Sequence, residues 1–332
     1  MKKSIYIFSN GELKRKQDTL YFETSDGEKK YIPVENTEEI HIFGEVSINK
    51  KLLDFISQKG ILLHFYNYYG FYEGSFYPRE HYNSGMLILK QAEIYNDFNK
   101  RIFLARKFVK GAFLNMVKVL EYYNLRIENS FTDEIAKIKK LEEEIEKFST
   151  IEEIMALEGN GKDIYYRSFN KIIKNENFHF EKREKRPPRS KINALISYGN
   201  SLLYTYILSE IYKTHLDPRI GFLHATNFRR FSLNLDVAEI FKPIIVDRAI
   251  FKLINKEIIK ENHFMEEMGG IYLNDTGRKI FIEEMDNRMK TTLKHKKLER
   301  HVSYRTLIRL ELYKIEKHLL DDEIYEPFVM WW

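Results

Sequence analysis

Hydrophobic residues in the first 80 positions come in short runs separated by turn signals, a pattern typical of β-structure. Asn10-Gly11 and Asp26-Gly27 are strong hairpin signals. Residues 39–42 alternate in polarity, so we expect Glu39 and His41 to point outward from the core. The pattern predicts strands at Lys3–Phe8, Leu20–Thr24, Lys30–Val34, Glu39–Phe43 and Ile61–Tyr66, a hairpin over Tyr68–Tyr77, and one helix at Ile48–Lys59 with Gly60 as its C-cap.

After Gly85 the hydrophobic period lengthens to that of an α-helix. The predicted helices are Met86–Tyr123, Thr132–Phe148, Ile151–Glu158, Asn193–Tyr212, Val237–Lys260 and Arg278–Leu320, with a small turn or hairpin around Gly269-Gly270 and Thr276-Gly277. We therefore predict an α+β protein. Its small N-terminal β-sandwich or β-roll domain, residues 1–85, would serve dimerisation and precede a larger all-α catalytic domain, residues 86–332.

The amino-acid composition excludes several kinds of cofactor, covalent link and membrane segment. The 332 residues include no cysteine, which excludes disulfides, cysteine-ligated zinc, iron–sulfur clusters and thiol nucleophiles. No apolar run approaches the roughly 18–20 residues that span a bilayer, and the charged residues Glu12, Lys14 and Arg15 come too early for a signal peptide. We expect a cytoplasmic protein without a membrane partner.

Positive charge is concentrated in the C-terminal part. The net charge is +5, of which residues 1–85 carry −1 and the remainder carries +6. A polyanion is therefore expected to contact the C-terminal part. The simpler interpretation, in which abundant Lys and Glu only keep the protein soluble, remains open.

Three segments of the C-terminal part differ from ordinary helix surface. Glu158 precedes Gly159 and Gly161, which would let backbone approach a ligand, although a carboxylate at a helix end is the simpler interpretation. His224 closes a turn between helices, where histidine often only packs or caps. Asp236 and Glu239 are three residues apart in an apolar segment, and buried acids are costly unless they are paired or bind a cation.

These four side chains supply hard oxygens and one imidazole. That donor set suits Mg²⁺ or Mn²⁺ and is poor for structural zinc. A divalent ion held in this way can polarise a phosphodiester and activate an attacking hydroxyl. The basic residues expected to contact DNA are Arg186, Arg189, Arg229, Arg230, Lys242 and Arg248.

The order and spacing of these segments resemble the CRISPR adaptation integrase, the metal-dependent nuclease-integrase family of spacer acquisition. The matching residues are Glu158-Gly159 with Tyr165, Arg186-Pro187-Pro188 with Asn193-Ala194-Leu195, Asp217-Pro218 with Gly221-Phe222-Leu223-His224, and Leu235-Asp236 with Glu239 and Phe241-Lys242-Pro243. The family pattern usually has Arg where Lys242 stands, a departure that keeps the positive charge.

The resemblance implies metal ligands at Glu158, His224 and Glu239, with Asp236 as a further acidic position that supports the ligands or substrate. It also implies a homodimer and a small ferredoxin-like partner protein, two integrase dimers flanking one partner dimer. The implied activity joins the 3′-hydroxyls of a short DNA duplex to phosphodiesters of the CRISPR repeat array.

Two other functions remain open. A nuclease could use the same site to cut branched, single-stranded or double-stranded nucleic acid without integration. A non-catalytic nucleic-acid-binding scaffold could carry the acids for structural reasons alone. Metal-dependent strand joining distinguishes both from the integrase.

Overall fold

The computed structural model describes residues 2–78, 82, 84–128, 130–224, 231–295 and 298–331. The chain forms two compact units, Met1–His81 and Tyr82–Trp332. The predicted α+β class, with a strand-rich N-terminal part followed by a helical part, is confirmed. A dimerisation role for the N-terminal part stays a prediction.

The N-terminal unit contains two four-stranded sheets and one helix. In chain order the elements are β1 (Lys3–Ile7), β2 (Gly11–Lys16), β3 (Thr19–Thr24), β4 (Lys29–Ile32), β5 (Thr37–Ile42), β6 (Val46–Ser47), α1 (Lys50–Lys59), β7 (Leu62–Tyr66) and β8 (Tyr72–Phe76). The sheet orders are β1-β5-β7-β8 and β4-β3-β2-β6. Apolar side chains from both sheets and from α1 share one core, as in a β-sandwich.

Two equal hairpin signals have different outcomes. Asp26-Gly27 joins the antiparallel strands β3 and β4, and Gly27 adopts the positive φ of +83° that the turn requires. Asn10-Gly11 joins no hairpin, because β1 pairs in parallel with β5 while β2 lies in the other sheet. The prediction for Asn10-Gly11 was therefore wrong. Glu39 and His41 do lie on the face opposite Ile40 and Ile42, but both are fully buried.

The second unit is mainly helical. Its elements are α2 (Gly85–Asn96), α3 (Phe98–Asn124), α4 (Thr132–Glu144), α5 (Ile151–Arg167), α6 (Phe169–Ile172), α7 (Lys191–Ile211), α8 (Leu233–Lys242), α9 (Arg248–Asn255), β9 (Phe264–Glu267), β10 (Gly270–Leu273), α10 (Asp275–Lys290), β11 (Thr292–Lys294), β12 (His301–Ser303) and α11 (Tyr304–Leu319). A single π-helical turn, Pro243–Asp247, joins α8 to α9.

The second unit is mainly but not wholly helical, since it also contains the short strands β9 to β12. The hairpin expected near Gly269-Gly270 is present as β9 and β10. The segment Arg278–Leu320 is not one helix, because β11 and β12 form an antiparallel ribbon between α10 and α11. The predicted helix Met86–Tyr123 is divided as well, since the Asp97 side chain caps the N-terminus of α3. Among the described residues, no helix has the length and apolarity needed to cross a membrane.

Helix α3 organises the candidate site, since both α5 and α8 pack against it. The buried side chain of Asn115 on α3 donates a hydrogen bond of 2.9 Å to the backbone oxygen of Ile240 on α8. This contact satisfies a buried polar group and fixes α8 against α3. The acids predicted on α5 and α8 are thereby brought to a common place.

Candidate active site

Glu158 lies in the interior of α5, where the sequence predicted a helix end. The helix begins with a capping box formed by Thr150 and Glu153. It continues through Gly161, where an added Cβ would lie 2.3 Å from a ring carbon of Phe113 on α3. Glycine at this position therefore permits close packing of two helices. The sequence suggested that the glycines here let backbone approach a ligand. In the structure Gly161 permits close helix packing.

Lys162 bridges the two glutamates of the predicted ligand set. Its ammonium contacts Glu158 Oε1 on the same helix and lies 2.7 Å from Glu239 Oε2 on α8. The other oxygen of Glu239 is 2.5 Å from the ammonium of Lys242. Two carboxylates from different helices thus share one buried, cation-rich space.

The two lysines set the charge state of Glu239. Burial alone would raise the pKa of the Glu239 carboxyl, but the charges of Lys162 and Lys242 outweigh burial and hold this pKa well below its usual range. Burial lowers the pKa of Lys162, yet Glu158 and Glu239 together keep the pKa well above its ordinary value. The Glu239 carboxylate is therefore ionised beside two ammonium groups at neutral pH.

Asp236 binds the turn that carries His224. Its Oδ2 accepts the backbone N–H groups of Phe222 at 2.5 Å and Leu223 at 3.0 Å, and its Oδ1 accepts that of His224 at 2.9 Å. Gly221 makes this approach possible, because an added Cβ would lie 2.7 Å from Asp236 Oδ2. Asp236 therefore organises the backbone of residues 221–224.

The same aspartate orients the His224 ring. His224 Nδ1 lies 2.8 Å from Asp236 Oδ1, so Nδ1 donates a hydrogen bond to this carboxylate. His224 Nε2 is 4.0 Å from Glu239 Oε1. A carboxylate that fixes the tautomer of an imidazole in this way is typical of metal-binding histidines.

Two carboxylates and one imidazole are donor types that suit a hard divalent cation. Glu158 Oε1 and Glu239 Oε2 are buried and accept no hydrogen bond of good geometry, although both lie against the Lys162 ammonium. They therefore keep lone pairs that face a positive charge. Among the described residues no three His, Asp or Glu side chains are placed close enough to hold a metal ion. The Lys162 ammonium lies between the two glutamates in this arrangement.

The residues predicted to contact DNA fall into distinct environments. Arg186 and Arg189 are exposed in the loop before α7. Lys242 is buried beside Glu239, and its ammonium lies 5.0 Å from the centre of the Tyr204 ring. The guanidinium of Arg248 lies over the Tyr122 ring. Arg229 and Arg230 lie outside the described residues.

Sequence reasoning missed Lys162 and Asp247. Lys162 is four residues after Glu158, a spacing that signals a pair on one helix face but gives no sign of the contact with Glu239. Asp247 ends the π-helical turn and is almost fully buried, and burial raises its pKa to about 7. A π-helical turn next to a site is a frequent feature of functional helices.

Comparisons with known proteins agree on one family. Residues 5–287 match the family model described as CRISPR associated protein Cas1. The CRISPR-associated endonuclease Cas1 2 of Thermodesulfovibrio yellowstonii is 63% identical over 332 residues, covering 100% of both chains.

Solved structures agree as well. A CAS1 protein from Thermotoga maritima superposes with a TM-score of 0.87 at 48% identity, covering 98% of this chain and 99% of that one. Two more distant structures share the fold. A casposase bound to integration product has a TM-score of 0.84 at 20% identity, covering 98% and 92%. A Cas6-RT-Cas1–Cas2 complex has a TM-score of 0.82 at 17% identity, covering 100% of this chain and 36% of that one.

Proposed function

The chain belongs to the Cas1 family of CRISPR-associated endonucleases, and we propose that it is a metal-dependent DNA endonuclease and integrase of spacer acquisition. In this function it joins the 3′-hydroxyls of short foreign duplexes to the CRISPR repeat array by transesterification. The observation that carries the proposal is the convergence of Glu158 and Glu239 from two helices beside a His224 ring whose Nδ1 is held by Asp236.

The proposed ligands are Glu158, His224 and Glu239, holding Mg²⁺ or Mn²⁺. When bound, such an ion polarises a phosphodiester and makes a hydroxyl a better nucleophile. The chain contributes the ionised carboxylates, and Asp236 contributes the orientation of the imidazole. Transesterification at phosphorus is carried by positioning and electrostatics and needs no protein nucleophile, which agrees with a cysteine-free chain.

We assign DNA binding to the helical unit. Arg186 and Arg189 are exposed and form no ion pair with any described residue, so their charge is available to phosphate oxygens. Both follow Lys185, which is close enough to Glu158 for the charge of that carboxylate to act on its pKa. Phosphates bound along this loop would thus lie close to the proposed metal.

The proposed assembly is a homodimer that acts with a small partner of the Cas2 type. The structural neighbour at 17% identity is part of a complex that contains Cas1 and Cas2. Two dimers flanking one partner dimer is the arrangement implied by the family resemblance. Measurement of the mass of the complex in solution tests this assembly.

Integration rather than simple cleavage is supported by the casposase neighbour, which is bound to an integration product. The deciding experiment supplies a duplex with free 3′-hydroxyls and a supercoiled plasmid that carries the repeat. We expect joined products in Mg²⁺ or Mn²⁺ and none after chelation. Fragments without joined products would favour the alternative, a nuclease that hydrolyses nucleic acid without integration.

A further inference from the structure

Lys162 contacts both carboxylates of the candidate site, as the proposed metal ion would also have to do. Its ammonium lies against Glu158 Oε1 and 2.7 Å from Glu239 Oε2. Glu158 and Lys162 are on α5, whereas Glu239 is on α8, so the ammonium links two helices. A position between two anions is where a cation gains the most Coulomb energy. Lys162 thus already occupies the most favourable cation position of the pair.

The local charges are balanced without a metal. Two carboxylates, Glu158 and Glu239, face two ammonium groups, Lys162 and Lys242. Partial burial and the positive charges of Lys162, Arg183 and Lys242 lower the pKa of the nearby Lys185, which shows that positive charge is already crowded here. Addition of a divalent ion to the same carboxylates would place like charges a few ångströms apart. Metal binding therefore favours the departure of one ammonium.

The surroundings indicate which ammonium departs. The Lys242 side chain is 7% exposed, contacts Glu239 Oε1 and lies beside the Tyr204 ring. The Lys162 side chain is 20% exposed, contacts one oxygen of each glutamate, and has a flexible four-carbon stem. Lys162 therefore loses less packing than Lys242 would on leaving the carboxylates.

We propose that Lys162 is an exchangeable internal cation, which holds Glu158 and Glu239 together in the metal-free protein and leaves them when a divalent ion binds. The inference rests on the proposed metal site. It adds that the Lys162 ammonium competes with the divalent ion for Glu158 and Glu239. Competition by Lys162 lowers the metal affinity below the value that the same carboxylates would give alone. Loss of the ammonium therefore has the opposite effect to loss of a ligand.

The test is a Mn²⁺ titration of the full-length protein, with free Mn²⁺ measured by electron paramagnetic resonance. We expect Lys162→Met to bind Mn²⁺ about tenfold more tightly than the wild-type protein, and Lys162→Arg to bind it within about threefold of wild type. Arg167→Met is the matched control, because Arg167 forms an exposed pair with Asp163 on the same helix at 2.8 Å. Its Mn²⁺ affinity should equal that of the wild type.

Lys242→Met separates displacement from general electrostatics. If removal of any nearby positive charge raises the affinity, Lys162→Met and Lys242→Met will gain equally, and that result overturns the proposal. If Lys162 is the residue that the ion displaces, Lys162→Met must gain more Mn²⁺ affinity than Lys242→Met does. Circular dichroism of each variant establishes that it is folded, and Lys162→Gln replaces Lys162→Met if the latter is not.

Thermal unfolding gives a second readout that needs no activity. In chelator, Lys162→Met should unfold at a lower temperature than the wild type, because two carboxylates then lack their shared cation. Mn²⁺ should raise its unfolding temperature more than that of the wild type. If the wild type binds Mn²⁺ and Lys162→Met binds it no more tightly, the Lys162 proposal alone is wrong. If neither protein binds Mn²⁺, the proposed metal site is wrong as well.

Discussion

Two buried clusters in this protein combine carboxylates with imidazoles, one in each unit, and they differ in what surrounds the acid. In the N-terminal unit the Glu39 carboxylate accepts a hydrogen bond of 2.7 Å from Ser4 and lies 3.1 Å from His41 Nε2 and 3.8 Å from His64 Nε2. In the helical unit the carboxylates of Glu158 and Glu239 face lysines.

The difference separates a structural cluster from a site that a ligand can reach. Ser4, Glu39, His41 and His64 come from three adjacent strands of one sheet, and the last three are fully buried. Their contacts run across the strands and hold them in register. In the helical unit the side chains of Glu158 and His224 are 12% and 14% exposed. A buried acid with polar neighbours is therefore not by itself a sign of catalysis.

The largest expected effect is on strand joining. Glu158→Gln and Glu239→Gln should each reduce joining by about a thousandfold or more, because each removes a charged metal ligand and several kcal/mol of transition-state stabilisation. Glu39→Gln, which changes a fully buried glutamate of the N-terminal unit, should keep the wild-type rate per folded molecule. The measurement is the initial rate of joined product. A Glu39→Gln protein that is folded but inactive would remove the distinction between the two clusters.

The next effect concerns Asp247, an almost fully buried acid of the helical unit. Burial raises the pKa of Asp247 to about 7, above the ordinary value of 3.8. The folded state therefore favours the protonated form. This stabilisation is complete below about pH 4 and is lost as the pH rises to about 7, a change of up to about 4 kcal/mol.

Asp247→Asn tests this linkage, since asparagine keeps the shape and does not titrate. Urea unfolding at several pH values should show the wild type losing free energy of unfolding relative to Asp247→Asn between pH 4 and pH 7, with a constant difference above pH 7.5. A difference that is independent of pH would mean that the pKa of Asp247 is the same in the folded and the unfolded protein.

A smaller loss, in Mn²⁺ affinity, is expected for Asp236, which supports His224 and is not among the proposed ligands. Asp236→Asn should weaken Mn²⁺ binding by about 10- to 100-fold, because an oriented imidazole depends on the carboxylate behind it. Glu239→Gln should weaken it more. Titration of Mn²⁺ against both variants gives the comparison, and an equal loss would place Asp236 among the direct ligands.

The sequence predicted most elements but not their long-range partners. Asn10-Gly11 and Asp26-Gly27 carry the same local signal, and only the pairing of β1 with the distant β5 decides that the first is not a hairpin. The alternation around His41 gave its face correctly, yet alternation cannot tell whether the second face of a sheet is covered. The ribbon formed by β11 and β12 was missed because no Gly or Pro interrupts residues 278–320.

The candidate site shows the same limit. Glu158, His224, Asp236 and Glu239 were singled out from their residue types, the apolar context of the last two and the family resemblance. In the structure Glu158 and Glu239 share the Lys162 ammonium, and His224 lies beside Asp236 and 4.0 Å from Glu239. Their role as metal ligands stays a prediction. Lys162 was missed because a lysine four residues after a glutamate on a helix usually forms an ordinary surface pair. Its contact with Glu239 depends on the packing of α5 and α8 against α3, which no local pattern encodes.

The smallest expected effect compares basic residues of the two units on DNA. Arg186 and Arg189 are exposed and form no ion pair within the described part of the chain, so together their replacement by Gln should reduce the slope of log K against log salt by about 1.8. In the N-terminal unit, the Lys14 ammonium lies 2.7 Å from Glu12 and 2.9 Å from Glu23. Arg15 stacks over the Phe55 ring, so their charges are already engaged. Joint replacement of Lys14, Arg15 and Lys16 should therefore leave the slope nearly unchanged. The slopes are obtained by fluorescence anisotropy with a short duplex from about 50 to 200 mM salt. If the N-terminal variant lost its slope while the Arg186 and Arg189 variant kept it, DNA would contact the N-terminal unit. The assignment of DNA binding to the helical unit would then be wrong.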